Sequence, residues 1–134
     1  MSEKLIRVGT TYVPVSNVER SAAWYEKTLG AQINYKDESK AIIDVADHSM
    51  FLVKAAPGQT NTFQVENGND HFNITFEVDG YEKLHRLHNE FSQNDVMVGP
   101  IEDRGHPGNN FTFQDPDGNL FDVWSELSPT FQNK

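Results

Sequence analysis

The chain has 134 residues, 37% hydrophobic and 23% charged, which suits one packed domain or two small halves sharing a core and is too apolar for a disordered chain. Twenty acidic residues against eleven basic ones leave a net charge of −9, a surface that repels phosphate backbones and anionic lipid and so sets aside nucleic acid and membranes as partners. Without cysteine there are no disulfides, thiol nucleophiles or Cys-ligated metals. No apolar run exceeds four residues, so neither a signal peptide nor a membrane span is expected and the cytoplasm is the natural compartment.

Residues 5–15 are rich in β-branched and aromatic side chains and predict a strand, with Pro14 marking an edge or an end. Ser16-Asn17-Val18-Glu19 has capping-box form, Ser16 accepting from the Glu19 amide while Glu19 reaches back. Val18, Ala22, Tyr25 and Leu29 then fall on one helical face, and Gly30 supplies the stop. Three short strands are expected at 31–36, 40–46 and 49–55, with His48 in a solvated turn. Residues 57–70, rich in Gly, Asn and Gln, read as a linker. The pattern then restarts. A strand at 71–78 leads to a second cap, Asp79-Gly80-Tyr81-Glu82, and to a helical stripe of Tyr81, Leu84, Leu87, His88 and Phe91. Short strands near 95–98, 111–114 and 120–125 complete the second half, and the tail from Leu127 is expected to be loosely held.

The restart is a repeat. Val15, Ser16, Glu19 and Arg20 stand 63 residues before Val78, Asp79, Glu82 and Lys83, so strand end, cap, capping partner and first-turn base correspond one to one. Each half reads strand, helix, strand, strand, strand. Neither half can bury both its helix and its sheet face alone, so the two are expected to pair.

With the repeat in hand, two stretches carry a resemblance. The first is Val13-Pro-Val-Ser-Asn-Val-Glu-Arg-Ser-Ala-Ala-Trp-Tyr-Glu-Lys-Thr-Leu-Gly30, a strand ending in Val followed by a Ser, an aromatic-Tyr pair and Leu-Gly. The second is Phe111-Thr-Phe-Gln-Asp-Pro-Asp-Gly-Asn-Leu-Phe-Asp-Val-Trp124, an Asp-Pro-Asp-Gly turn feeding a last strand. Together with the repeat they resemble the vicinal oxygen chelate superfamily, the glyoxalase, bleomycin-resistance and extradiol-dioxygenase group, over nearly the whole chain. The resemblance implies an α+β fold: two paired βαβββ modules forming an open, cup-shaped, eight-stranded mixed sheet. It makes residues 1–134 a single glyoxalase/bleomycin-resistance-like domain, with modules at about 4–56 and 71–127.

Enzymes of the family hold a divalent metal in the cup, with a ligand from the first strand of each module and a Glu from the last strand. The metal acts there as a Lewis acid. Those positions fall here on Thr10, Asn73 and Asp122, and a fourth-strand position lies near residues 52–54. Thr and Asn are poor ligands for Zn, Ni or Fe(II), and one carboxylate is few for Ca or Mg. No metal site and no cofactor are therefore expected. His71 precedes Asn73 by two residues, so on one strand it would share that face, displaced by about 6–7 Å. Tyr12 alternates with Thr10 and Trp124 with Asp122. Arg104 and His106 lie on a polar loop, Glu102 to Asn110, that precedes the Phe-Thr-Phe strand and suits a specificity element. The expected ligand-binding set is thus Thr10, Tyr12, His71, Asn73, Arg104, His106, Asp122 and Trp124, stacking surfaces with few polar anchors. Phe111 and Phe113 are assigned to the core.

The leading expectation is a small-molecule-binding protein of the glyoxalase/bleomycin-resistance type lacking the transition-metal site. Metal-free bleomycin-resistance relatives imply a homodimer. Two enzyme readings stand beside it. One is a metal-dependent lyase, isomerase or dioxygenase with a nonstandard site around Asp122. The other is a metal-free enzyme using Asp122 or His106 as acid or base. No phosphate loop, nucleophile elbow or zincin motif competes.

Overall fold

A computed structural model describes residues 4–132. The chain divides into two compact units that meet in sequence at Gln59 and Thr60.

The first unit holds β1 (Thr10–Val15), α1 (Val18–Leu29), β2 (Gln32–Lys36), β3 (Lys40–Val45) and β4 (His48–Lys54). They form an open four-stranded sheet in the order β1-β4-β3-β2, with β1 parallel to β4 and the other pairs antiparallel. The period-2 pattern explains which face is covered. Val13, Val15, Ala41, Ile43, Val45, Met50 and Leu52 are all buried, and with Val18, Ala22 and Tyr25 of α1 they make the core. Gly30 ends α1 in the left-handed region at φ 72°, its N–H reaching back to the Tyr25 carbonyl.

The second unit repeats the plan. After the two-stranded ribbon of β5 (Phe63–Gln64) and β6 (Asp70–His71) come β7 (Thr75–Glu77), α2 (Tyr81–Gln93), β8 (Met97–Val98), β9 (Asn110–Gln114) and β10 (Leu120–Trp124). A short α3 (Pro129–Gln132) closes the described chain. The sheet order β7-β10-β9-β8, with β7 parallel to β10, reproduces that of the first unit. Phe111, Phe113, Phe121 and Val123 are buried with Leu84 and Phe91 of α2. Phe91 and Phe113 lie 4.9 Å apart, Phe113 and Phe121 5.3 Å. These spacings suit offset and edge-on ring packing. Phe111 and Phe113 are therefore core residues, as expected. The α+β architecture of two βαβββ modules holds, as two open sheets of four strands each. Among the described residues no helix is long and apolar enough to cross a membrane.

Several local expectations are corrected. The first strand begins at Thr10, not at residue 5, because its ladder needs β4, which starts at His48 after a turn with positive φ at Ala46 and Asp47. Leu5, Ile6 and Val8 are left exposed. His48 is not in the turn: it opens β4, half-buried, 2.8 Å from the Thr11 hydroxyl. The cap of α1 is Asn17, which accepts from the Arg20 N–H at 2.9 Å. Glu19 does not reach back; it pairs with Lys36 at 2.7 Å. The second cap is Gly80, with no side-chain bond, its N–H held by the Ser125 carbonyl. The helix starts nevertheless keep the 63-residue offset, Val18 to Tyr81. Tyr81 is exposed rather than part of the buried stripe. The 57–70 linker contains β5 and the start of β6, and the tail is tied down where the Ser128 N–H donates to Glu77 at 2.9 Å.

Candidate functional site

On β10 the side chains alternate. Phe121 and Val123 enter the Phe-rich core, so Leu120, Asp122 and Trp124 point to the face that α2 does not cover. The register sets Asp122 between Thr75 of β7 and Thr112 of β9, and Trp124 beside Asn110. This face is polar where the other is aromatic.

Asp122 is 1% exposed, and a carboxylate buried so deeply is costly unless paired and hydrogen-bonded. Its Oδ2 accepts from the Thr75 hydroxyl at 3.0 Å and from the Asn110 amide at 2.9 Å. Its Oδ1 lies 3.1 Å from Nη1 of Arg104, a charge contact without hydrogen-bond alignment. Arg104 is held from three sides. Its Nε donates to Glu102 at 3.1 Å, its guanidinium sits 5.4 Å over the Phe72 ring, and Asp122 takes the remaining face. The Oδ1 of Asn110 is buried without a hydrogen-bond partner among the described residues.

The loop that carries Arg104 is fastened at both ends. At its base Glu102 and Asn110 exchange two backbone hydrogen bonds, of 2.7 and 3.0 Å. At its tip the indole N–H of Trp124 donates to the Pro107 carbonyl, and the Asn109 N–H donates to the Ser125 hydroxyl, both at 2.8 Å. Between them Gly108 sits at φ 78°, and a Cβ there would stand 2.7 Å from Nε1 of Trp124. His106 meets Trp124 edge-on at 6.0 Å and turns its Nδ1 to the Pro107 carbonyl. A groove of about 600 Å³ opens here, its walls including His106, Pro107, Trp124, Leu127 and Pro129. Buried carboxylate, half-buried guanidinium and aromatic groove are thus contiguous along β10 and one loop.

The sequence of the chain matches the family model described as the Glyoxalase/Bleomycin resistance protein/Dioxygenase superfamily over residues 7–123. The chain belongs to this superfamily. No curated protein sequence matches it. Solved structures share its fold at low identity. Lactoylglutathione lyase from Agrobacterium tumefaciens is 14% identical, with 91% of this chain and 95% of that one covered and a TM-score of 0.71. The fosfomycin resistance protein FosX from Listeria monocytogenes, complexed with Mn(II) and sulfate, is 15% identical over 92% of each chain, TM-score 0.73. FosX from Mesorhizobium loti is 17% identical over 100% of both chains, TM-score 0.65.

The positions that the resemblance assigned to the site lie in different settings. Asn73 is exposed and accepts from the Asn61 amide at 3.0 Å. His71 does not share its strand: it belongs to β6, opposite Phe63, because β7 starts only at Thr75, where the parallel pairing with β10 begins. Its ring lies 4.1 Å from that of Phe72, the ring that supports Arg104. In the first module Thr10 is half-buried opposite Ser49, and Tyr12, 63% exposed, packs its ring 5.3 Å from Phe51. Tyr12 stands 63 residues before Thr75, so the fourth-strand counterpart of Asp122 is Phe51, one residue short of the expected 52–54 window. The two modules place different chemistry at that repeat position, an aromatic pair in the first and a hydrogen-bonded carboxylate in the second. Among the described residues no three His, Asp or Glu side chains come together as a metal-binding group.

Three contributors were not legible in the sequence. Asn110 read as the end of the polar loop, although it opens β9, Thr75 read as an ordinary strand residue, and Asn61 lay in the linker. Asn61 bonds both the N–H and the C=O of Leu120, at 2.9 and 3.2 Å, like one more strand beside β10. The Asp-Pro-Asp-Gly turn is structural. Asp115 accepts from the Asp117 and Asn119 amides at 2.9 Å and from the Asn119 side chain at 2.8 Å, which fixes the entry to β10.

Proposed function

We propose that this superfamily member binds a small organic molecule on the face of its second sheet around Asp122, Arg104 and Trp124, without the transition metal of metal-dependent relatives. The reading rests on one observation above all. Asp122, alone among the aligned ligand positions in keeping a strong ligand type, has both oxygens engaged by Thr75, Asn110 and Arg104. Thr10 and Asn73 add a hydroxyl and a neutral amide, a donor set that does not fit Zn, Ni or Fe(II). The indole and imidazole of the adjacent groove favour a ligand with a planar or aromatic part, and the carboxylate–guanidinium pair favours one with polar substituents. Within the second unit we assign His71, Asn73, Arg104, His106, Asp122 and Trp124 to the ligand-binding set, and we place the protein in the cytoplasm as a homodimer.

Fluorescence titration of an aromatic and polar compound library against the Trp24→Phe protein, which leaves Trp124 as reporter, tests the reading. Saturable quenching abolished by Asp122→Asn supports it; binding that ignores both Asp122 and Trp124 refutes it. The FosX complex with Mn(II) favours a second reading, a metal-dependent lyase, isomerase or dioxygenase built on Asp122. One equivalent of metal in the purified protein, lost in Asp122→Ala, would establish that reading instead. Turnover of a bound compound would place Asp122 or His106 in an acid–base role. Sedimentation equilibrium checks the dimer: a single 15.2 kDa species at micromolar concentration rejects it.

A further inference from the structure

The Glu102–Asn110 loop does more than border the groove. Its base is clamped to β9 and its tip to Trp124 and Ser125, so the backbone of Arg104 is fixed between two anchors. The side chain is then aimed inward by Glu102 and Phe72 until Nη1 rests 3.1 Å from the buried Asp122 carboxylate. A guanidinium cannot lose its proton at ordinary pH, so this is a permanent positive charge. It lies beside the one carboxylate that the superfamily's pattern would use for a metal. A divalent cation on the same Asp122 oxygen would meet the guanidinium at close range, and like charges there repel strongly.

Resting on the reading that this face is the ligand site, we infer that Arg104 is the site's built-in cation. It neutralises Asp122 in place of a divalent metal and excludes one. Arg104 is a positioning residue in this sense, acting on the ligand face through Asp122.

Two measurements test this without any organic ligand. The first is a double-mutant cycle by urea unfolding on Arg104→Met, Asp122→Asn and the double variant, with Arg104→Lys alongside. Removing only the cation strands a buried carboxylate, so R104M should lower the folding constant on the order of a hundredfold. R104K, which keeps the charge, should lose less than about tenfold, and R104M/D122N should recover at least about tenfold over R104M. If R104M does not fold, Arg104→Gln takes its place. A double variant no more stable than the Arg104 single variant overturns the inference. The second measurement is cation rescue. Mn(II) at millimolar concentration should raise the urea midpoint of Arg104→Ala and leave wild type unchanged. A shift in wild type that D122N abolishes, or no shift in R104A, overturns it. Failure to find an organic ligand leaves both results intact, and zero coupling leaves ligand binding by the groove intact, so the two ideas fail separately.

Discussion

Gly108→Ala probes how the candidate site is held together. Gly108 lies at φ 78°, where an L side chain costs about 1–2 kcal/mol. Its added Cβ would also stand 2.7 Å from Trp124 Nε1 and Glu126 Cγ and 2.8 Å from the Ser125 hydroxyl. Two of those three atoms are the donor and the acceptor that pin the loop, through Pro107 and Asn109. The methyl group cannot be accommodated without lengthening both hydrogen bonds, each worth about 0.5–1.5 kcal/mol net. The expected loss is about 2–4 kcal/mol in urea unfolding followed by circular dichroism. Gly105→Ala, in the same loop at φ 86° with nothing within 4 Å of its Cβ, carries the backbone cost alone. Its loss should stay near 1–2 kcal/mol. In a Trp24→Phe background, Trp124 emission should shift in G108A and not in G105A, because only the former breaks the indole hydrogen bond. Equal destabilisation by the two variants, with unchanged emission, would refute the argument that close packing against Trp124 and Ser125 fixes the loop.

Asp37 makes a pH-dependent prediction. The Tyr35 hydroxyl, then the Ser39 and Lys40 backbone N–H groups, hold its carboxyl well below the usual carboxylate range. A depressed folded-state pKa gives stability that is fully present above the unfolded value near 4 and lost as pH falls below it. Asp37→Asn should therefore lower the urea midpoint at pH 7, with the gap to wild type closing toward pH 3; a gap independent of pH refutes this. Phe113→Ala, in a side chain 1% exposed between Phe91 and Phe121, should cost about 3–5 kcal/mol in the same assay, and a loss under 1 kcal/mol would contradict the core assignment. Asn61→Ala removes its bonds to Leu120 and Asn73 and should cost about 1–3 kcal/mol, with faster hydrogen exchange at the Leu120 amide as the local signature. Unchanged exchange at Leu120 would show that Asn61 does not brace β10.

The sequence by itself determined the modular plan, because that plan is written in local periodicities. Apolar residues at helical spacing placed α1, alternation placed the strands, and the 63-residue offset tied Val18 to Tyr81 before any contact was known. The two quoted motifs carried a family resemblance that implied the fold and pointed to Asp122, and side-chain period then put Trp124 on the same face. Tertiary structure decided what period does not contain. Where a strand begins depends on its neighbour, so the first strand starts only at Thr10, where its pairing with β4 begins, and His71 is drawn into a ribbon with Phe63 instead of extending β7. Caps depended on backbone geometry, so Asn17 and Gly80 replaced Ser16 and Asp79. Above all, the pairing of Arg104 with Asp122, 18 residues apart and from a loop of no regular structure, has no periodic signal. It arises because two clamps on the loop and a ring from a distant segment aim one guanidinium at one buried carboxylate, a convergence that only the folded chain creates.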